Sequence, residues 1–150
     1  MSLGDGPRAV REGIAMEPAG IRVTRSLAID GALLGDVLLY LRRDAAASVL
    51  RWTLGERGTA EIDPCFRTSE TGWEAPARLW SPNGLAAAAA TVHAEAVRSD
   101  EVVLRIEPTL PPRGWGDGGE RFAVLAGCAL DELAEELLWH ASRAGLTNRP

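Results

Sequence analysis

Residues Glu120 to Ala144 constrain the fold more than any other stretch of this 150-residue chain. Phe122, Leu125, Ala126, Ala129, Leu130, Leu133, Ala134, Leu137, Leu138 and Ala141 recur at three- and four-residue steps. That spacing lines them up on one wide helical stripe. Asp131, Glu132, Glu135 and Glu136 fall largely off the stripe and read as a solvated face. Gly145 is placed to end the helix. A stripe this wide needs a large apolar surface to lie on, and the rest of the chain must supply it.

That surface is a sheet. Ile21, Val23, Leu27 and Ile29 alternate with Arg22, Thr24, Ser26 and Asp30, which predicts a half-buried strand. Arg25 stands in phase with the apolar set. Asp30-Gly31 ends the strand, and Asp30 is a capping residue for a helix directly after it. Leu34, Val37, Leu38 and Leu41 predict that helix over 32–43, with Arg42 and Arg43 at its negative end.

From Ser48 to Pro111 the pattern is predominantly β. Leu50, Trp52 and Leu54 alternate, and Ala60 to Phe66 is a weaker strand interrupted by Pro64. Trp73, Ala75, Ala77 and Leu79 alternate up to the turn Ser81-Pro82-Asn83-Gly84, whose Asn-Gly pair suits a type I′ turn. Residues 85–97 carry five consecutive alanines, which favour helix. The alternation from Thr91 to Ala96 and the short turn into the next strand favour strand, and strand is the expectation. Val102, Leu104 and Ile106 form the last strand. Residues 1–19 mix Gly, Pro and charges without periodicity and are expected to be a flexible tail. Residues 20–146 then make one α+β domain: six strands in an antiparallel meander, curled around a long C-terminal helix.

The order resembles the START-like, or SRPBCC, superfamily with its helix-grip fold. Three stretches carry the resemblance: Ile29-Asp30-Gly31 with a helix directly after it; the hairpin from Ala77 to Gly84 followed by two long strands and Pro111-Pro112; and Glu120 to Ala126 running into Ala129 to Ala134. The resemblance implies six to seven strands and a cavity between sheet and helix. It also implies a small hydrophobic molecule as partner. Arg25, Trp52, Trp73, Leu79, Leu104, Phe122 and Leu125 are the expected lining. A cavity-based enzyme of the polyketide cyclase/dehydratase type is the alternative. A filled-core interaction module, dimerising through a face that carries Trp80, is another.

Composition narrows the partners. A net charge of −5 argues against nucleic acid and anionic membranes. No apolar run is long enough to span a bilayer. The first residues lack the apolar core of a signal peptide, so a cytoplasmic location is expected. Every basic side chain is arginine, and the arginines are scattered, as coding bias rather than phosphate binding would leave them. Cys65 and Cys128 lie far apart, outside any metal-ligand spacing, and Cys128 reads as a small buried hydrophobe. No metal or cofactor is expected.

Arg25 is the sharpest anomaly. Pointing inward, it would fork onto a ligand carboxylate or pair with Glu61 or Glu107; a β-bulge would instead turn it out. Trp52 and Trp73 are expected to face inward, Trp80 outward, and Trp139 to sit at the edge of the helix stripe. His93 shares a face with Thr91 and Glu95 and reads as solvated; His140 suits the helix C-terminus as a cation. Gly114 to Gly119 lacks the phosphate-loop ending and reads as a linker, or as a lid with Trp115 as its plug.

Overall fold

A computed structural model of the protein describes residues 10–17, 20–45, 48–84, 86–109 and 119–143. The strands are β1 (Val10–Glu17), β2 (Gly20–Leu27), β3 (Leu50–Thr53), β4 (Thr59–Ile62), β5 (Arg67–Thr68), β6 (Trp73–Trp80), β7 (Ala87–Arg98) and β8 (Glu101–Pro108). The helices are α1 (Leu34–Asp44), entered through a 3-10 turn at Gly31–Leu33, and α2 (Glu120–Arg143). The strands form one antiparallel sheet in the order β1-β2-β8-β7-β6-β4-β3, with β5 paired to β6. The architecture is a helix grip.

Two expectations change. Val10–Glu17, expected within the flexible tail, is a strand, paired with β2 from Val10↔Leu27 to Glu17↔Gly20. An edge strand is held by backbone hydrogen bonds to its neighbour, which leave little trace in side-chain periodicity. With it the main path has seven strands rather than the six counted from the pattern. The Ser81–Gly84 turn is also wider than a two-residue type I′ loop. The Ser81 amide donates to the Ala86 carbonyl at 2.8 Å, and the Gly84 amide to the Ser81 carbonyl at 2.9 Å. Gly84 takes a left-handed φ of 72° there. The alanine run forms the strand expected of it, β7.

Side chains on the buried face align in cross-strand rows. Trp52, Ala60, Leu79 and Ala88 form one; Leu50, Ile62, Ala77 and Ala90 a second. Ala75, Val92, Ile106 and Val23 form a third, and Trp73, Ala94, Leu104 and Arg25 a fourth. Alanines therefore line much of β4, β6 and β7, while bulk sits on β3, at the start of β6, and on β8 and β2. The stripe of α2 covers this face: Phe122, Leu125, Ala129, Leu130, Leu133 and Leu137 are fully buried. At the other end, the Asp30 carboxylate accepts from the Ala32 amide at 2.9 Å and starts the turn into α1.

Candidate functional site

The expected lining residues fall into two groups. Leu79, Leu104, Phe122 and Leu125 have no accessible surface. They form the seam between the sheet and α2, and Leu125 reaches across to Gly58, just before β4. Trp52 and Trp73 are half-buried instead, and they pack against the core together with Leu50, Leu54 and Phe66. Leu50 and Trp52 lie on β3, at the edge of the sheet opposite β1, and Trp73 starts β6. Gly35 of α1 faces Trp73: a Cβ at that glycine would lie 3.1 Å from the indole Cζ2. α1 thus packs against the start of β6.

Arg25 points inward, as its phase predicts, and is 5% exposed. Its partner is neither Glu61 nor Glu107. Arg25 Nε lies 2.6 Å from Asp131 Oδ1 on α2, and Nη1 donates to the Thr24 carbonyl at 2.9 Å. Glu61 instead pairs with Arg51 at 3.2 Å, and Glu107 serves the outer face. Asp131 is therefore more than solvated helix surface: it anchors a guanidinium that passes beneath the helix. Gly127 makes the passage possible. A Cβ at Gly127 would sit 2.6 Å from Arg25 Nη2, so any side chain there would occupy the guanidinium's space. Local spacing carries no signal for this pair, because Arg25 and Asp131 lie 106 positions apart.

His140 lies in the last turn of α2, as its position predicts. His140 is 5% exposed, with Nδ1 3.2 Å from Asp44 Oδ2 of α1 and Nε2 3.6 Å from Glu136 Oε2. Its ring meets Trp139 edge-on at 4.8 Å. It follows Leu133 by seven residues and Leu137 by three, in phase with the buried stripe. His93, expected to be solvated, is half-buried on the outer face. It sits between Glu107 Oε1 at 3.4 Å and Glu74 Oε2 at 3.8 Å. Arg22 and Arg105 approach the same Glu107 carboxylate at 3.8 Å. Strand register brings these groups together, since Glu74, His93 and Arg105 are cross-strand neighbours.

Other expected features resolve more simply. Trp80 is half-buried rather than freely outward, because the Arg51 guanidinium lies 5.8 Å from its ring centroid. Trp139 is 49% exposed, with Arg143 4.7 Å over its ring. Cys65 and Cys128 are free thiols of intermediate exposure, so Cys128 is less buried than expected. Leu85, most of the glycine-rich loop with Trp115, Ala144 and Gly145 lie outside the described residues. Among the described residues no group of three or more His, Cys, Asp or Glu side chains could hold a metal ion. No helix among them is long and apolar enough to cross a membrane.

No family model matches the chain, and no curated protein matches it. Among solved structures, the crystal structure of human STARD10 is similar, at 12% sequence identity and a TM-score of 0.39, covering 91% of this chain and 72% of that chain.

Proposed function

We propose that this protein binds a small, largely apolar molecule in the trough between the curved sheet and α2, entering at the rim formed by Trp52, Trp73, Leu50, Leu54 and Phe66. The observation that carries this reading is the distribution of side-chain size. Small alanines recur on the inward face of β4, β6 and β7, and half-buried apolar side chains pack beside them. Concave apolar sites with few polar groups are the usual setting for hydrophobic ligands. Leu79, Leu104, Phe122 and Leu125 would become lining only after the rim side chains turn aside. Arg25 is held by Asp131, so its part in binding would require exchange of that carboxylate for the ligand's.

Polar chemistry within the core is sparse. Among the described residues, the buried polar side chains are Arg25 and His140. Gly127, over Arg25, and His140 are separated by 13 positions of α2, about 20 Å of helix. Groups so far apart do not converge on one reacting atom, which favours binding over catalysis.

The second reading, a filled-core interaction module, is favoured by the complete burial of the seam. One substitution separates the two. Ala90→Leu adds bulk to the trough floor. If the trough has room for a ligand, the variant keeps its thermal midpoint within a few degrees and loses binding. If the core is filled, overpacking costs about 1–3 kcal/mol. Binding is read by native mass spectrometry of protein from its own host and by titration with an apolar fluorescent probe. An unliganded native mass with no saturable probe binding by wild type would overturn the ligand reading.

A further inference from the structure

The ion pair between Arg25 and Asp131 is asymmetric. Among the described residues Arg25 is the one buried charged side chain of the sheet, at 5% exposure, whereas the Asp131 side chain is 46% exposed. The arginine stands on the inward face of β2, and the carboxylate comes from α2. Among the described residues one hydrogen bond joins the two, Nε to Oδ1 at 2.6 Å, while Nη1 donates to the Thr24 carbonyl at 2.9 Å. A guanidinium is a fork with more N–H donors than these two bonds use. A carboxylate that meets such a fork with both oxygens is bound more strongly than one held through a single oxygen. Asp131 already shares its carboxylate with water and can return to it. Arg25 needs an anion beside it, because a buried charge left unpaired is costly. Asp131 is therefore a replaceable counter-ion on a cation that stays in place.

We propose that Arg25 is a head-group site, and that the ligand is a medium-chain carboxylate whose head takes the place of Asp131. The inference rests on the reading above, that an apolar molecule enters between the sheet and α2. Strand register supplies the chain length. Arg25, Leu104, Ala94 and Trp73 form one inward row across β2, β8, β7 and β6. Three cross-strand steps of about 4.8 Å make roughly 14 Å from Arg25 to Trp73, the span of a medium-chain acyl group. Leu104 and Ala94 are fully buried, and Trp73 is half-buried against the core. The row therefore offers charge at one end and apolar surface along the rest, which suits an amphiphile with a single polar head. The head is a carboxylate because the group it replaces is one.

The test is displacement of an apolar fluorescent probe by decanoate and by decanol, which share a chain and differ in the head. Wild type should bind decanoate on the order of tenfold more tightly than decanol. Arg25→Met should lose that preference and still bind decanol. Asp131→Asn removes the competing charge, so decanoate should tighten on the order of tenfold while decanol stays unchanged. The wild-type comparison decides the matter even if either variant fails to fold. Equal binding of the two compounds by wild type, a preference retained in Arg25→Met, or an unchanged decanoate affinity in Asp131→Asn would overturn the proposal and leave the apolar-ligand reading standing. Absence of saturable binding by the probe and by decanol would overturn both.

Discussion

Gly127→Ala should change sign with the identity of residue 25. Glycine inside a helix is about 0.8–1.0 kcal/mol less favourable than alanine, so Gly127→Ala would ordinarily stabilise α2. Here the new methyl would lie 2.6 Å from Arg25 Nη2, while Arg25 Cζ at 3.6 Å and Val23 Cγ1 at 3.7 Å are at ordinary contact distances. The guanidinium is thus the one obstacle, and it is held by Asp131 at 2.6 Å. Moving it would strain or break an ion pair whose arginine is 5% exposed. Breaking a fully buried pair so that one charge is left uncompensated costs about 3–5 kcal/mol. Asp131 side-chain exposure is 46%, so water recovers part of that cost. A net loss of about 1–2 kcal/mol remains after the helix-propensity gain. In an Arg25→Ala background the obstacle is gone, and the same substitution should stabilise by about 0.5–1 kcal/mol. The coupling across the cycle is therefore about 2 kcal/mol. Urea unfolding monitored by far-ultraviolet circular dichroism measures all four proteins. Equal effects of Gly127→Ala in both backgrounds, within about 0.5 kcal/mol, would refute the packing of Arg25 beneath Gly127.

Two further expectations concern the backbone. Gly58 has φ 128° and faces the Trp80 carbonyl, whereas Gly55 has φ 62° with nothing near its missing Cβ. Gly58→Ala should therefore cost about 3 kcal/mol or more and Gly55→Ala about 1 kcal/mol in chemical denaturation; equal losses would contradict the close approach at Gly58. Asp30→Ala removes the carboxylate that accepts from the Ala32 amide and should cost about 1 kcal/mol, while Asp36→Ala, with its side chain exposed in the first turn of α1, should cost less.

Periodicity made most of the fold legible. The stripe from Phe122 to Ala141 defined α2, and alternation defined β2, β6, β7 and β8, because burial on one face writes itself into side-chain order. β1 was not legible. Its backbone pairs with β2, and its mix of glycine and charge hid the strand. The site was legible in part. Phase alone turned Arg25, Trp52 and Trp73 toward the core face. Phase could not name Asp131 as the partner of Arg25, since the two are 106 positions apart in sequence.

The sequence by itself therefore determined which residues are inward, because inwardness comes from the local period of each element. Only the tertiary structure decided who meets whom. Register placed alanines beside tryptophans across the sheet, the crossing of α2 over β2 set Gly127 and Asp131 against Arg25, and the meeting of two helix ends put His140 between two carboxylates. Those distances depend on the relative placement of distant segments, which no local pattern encodes.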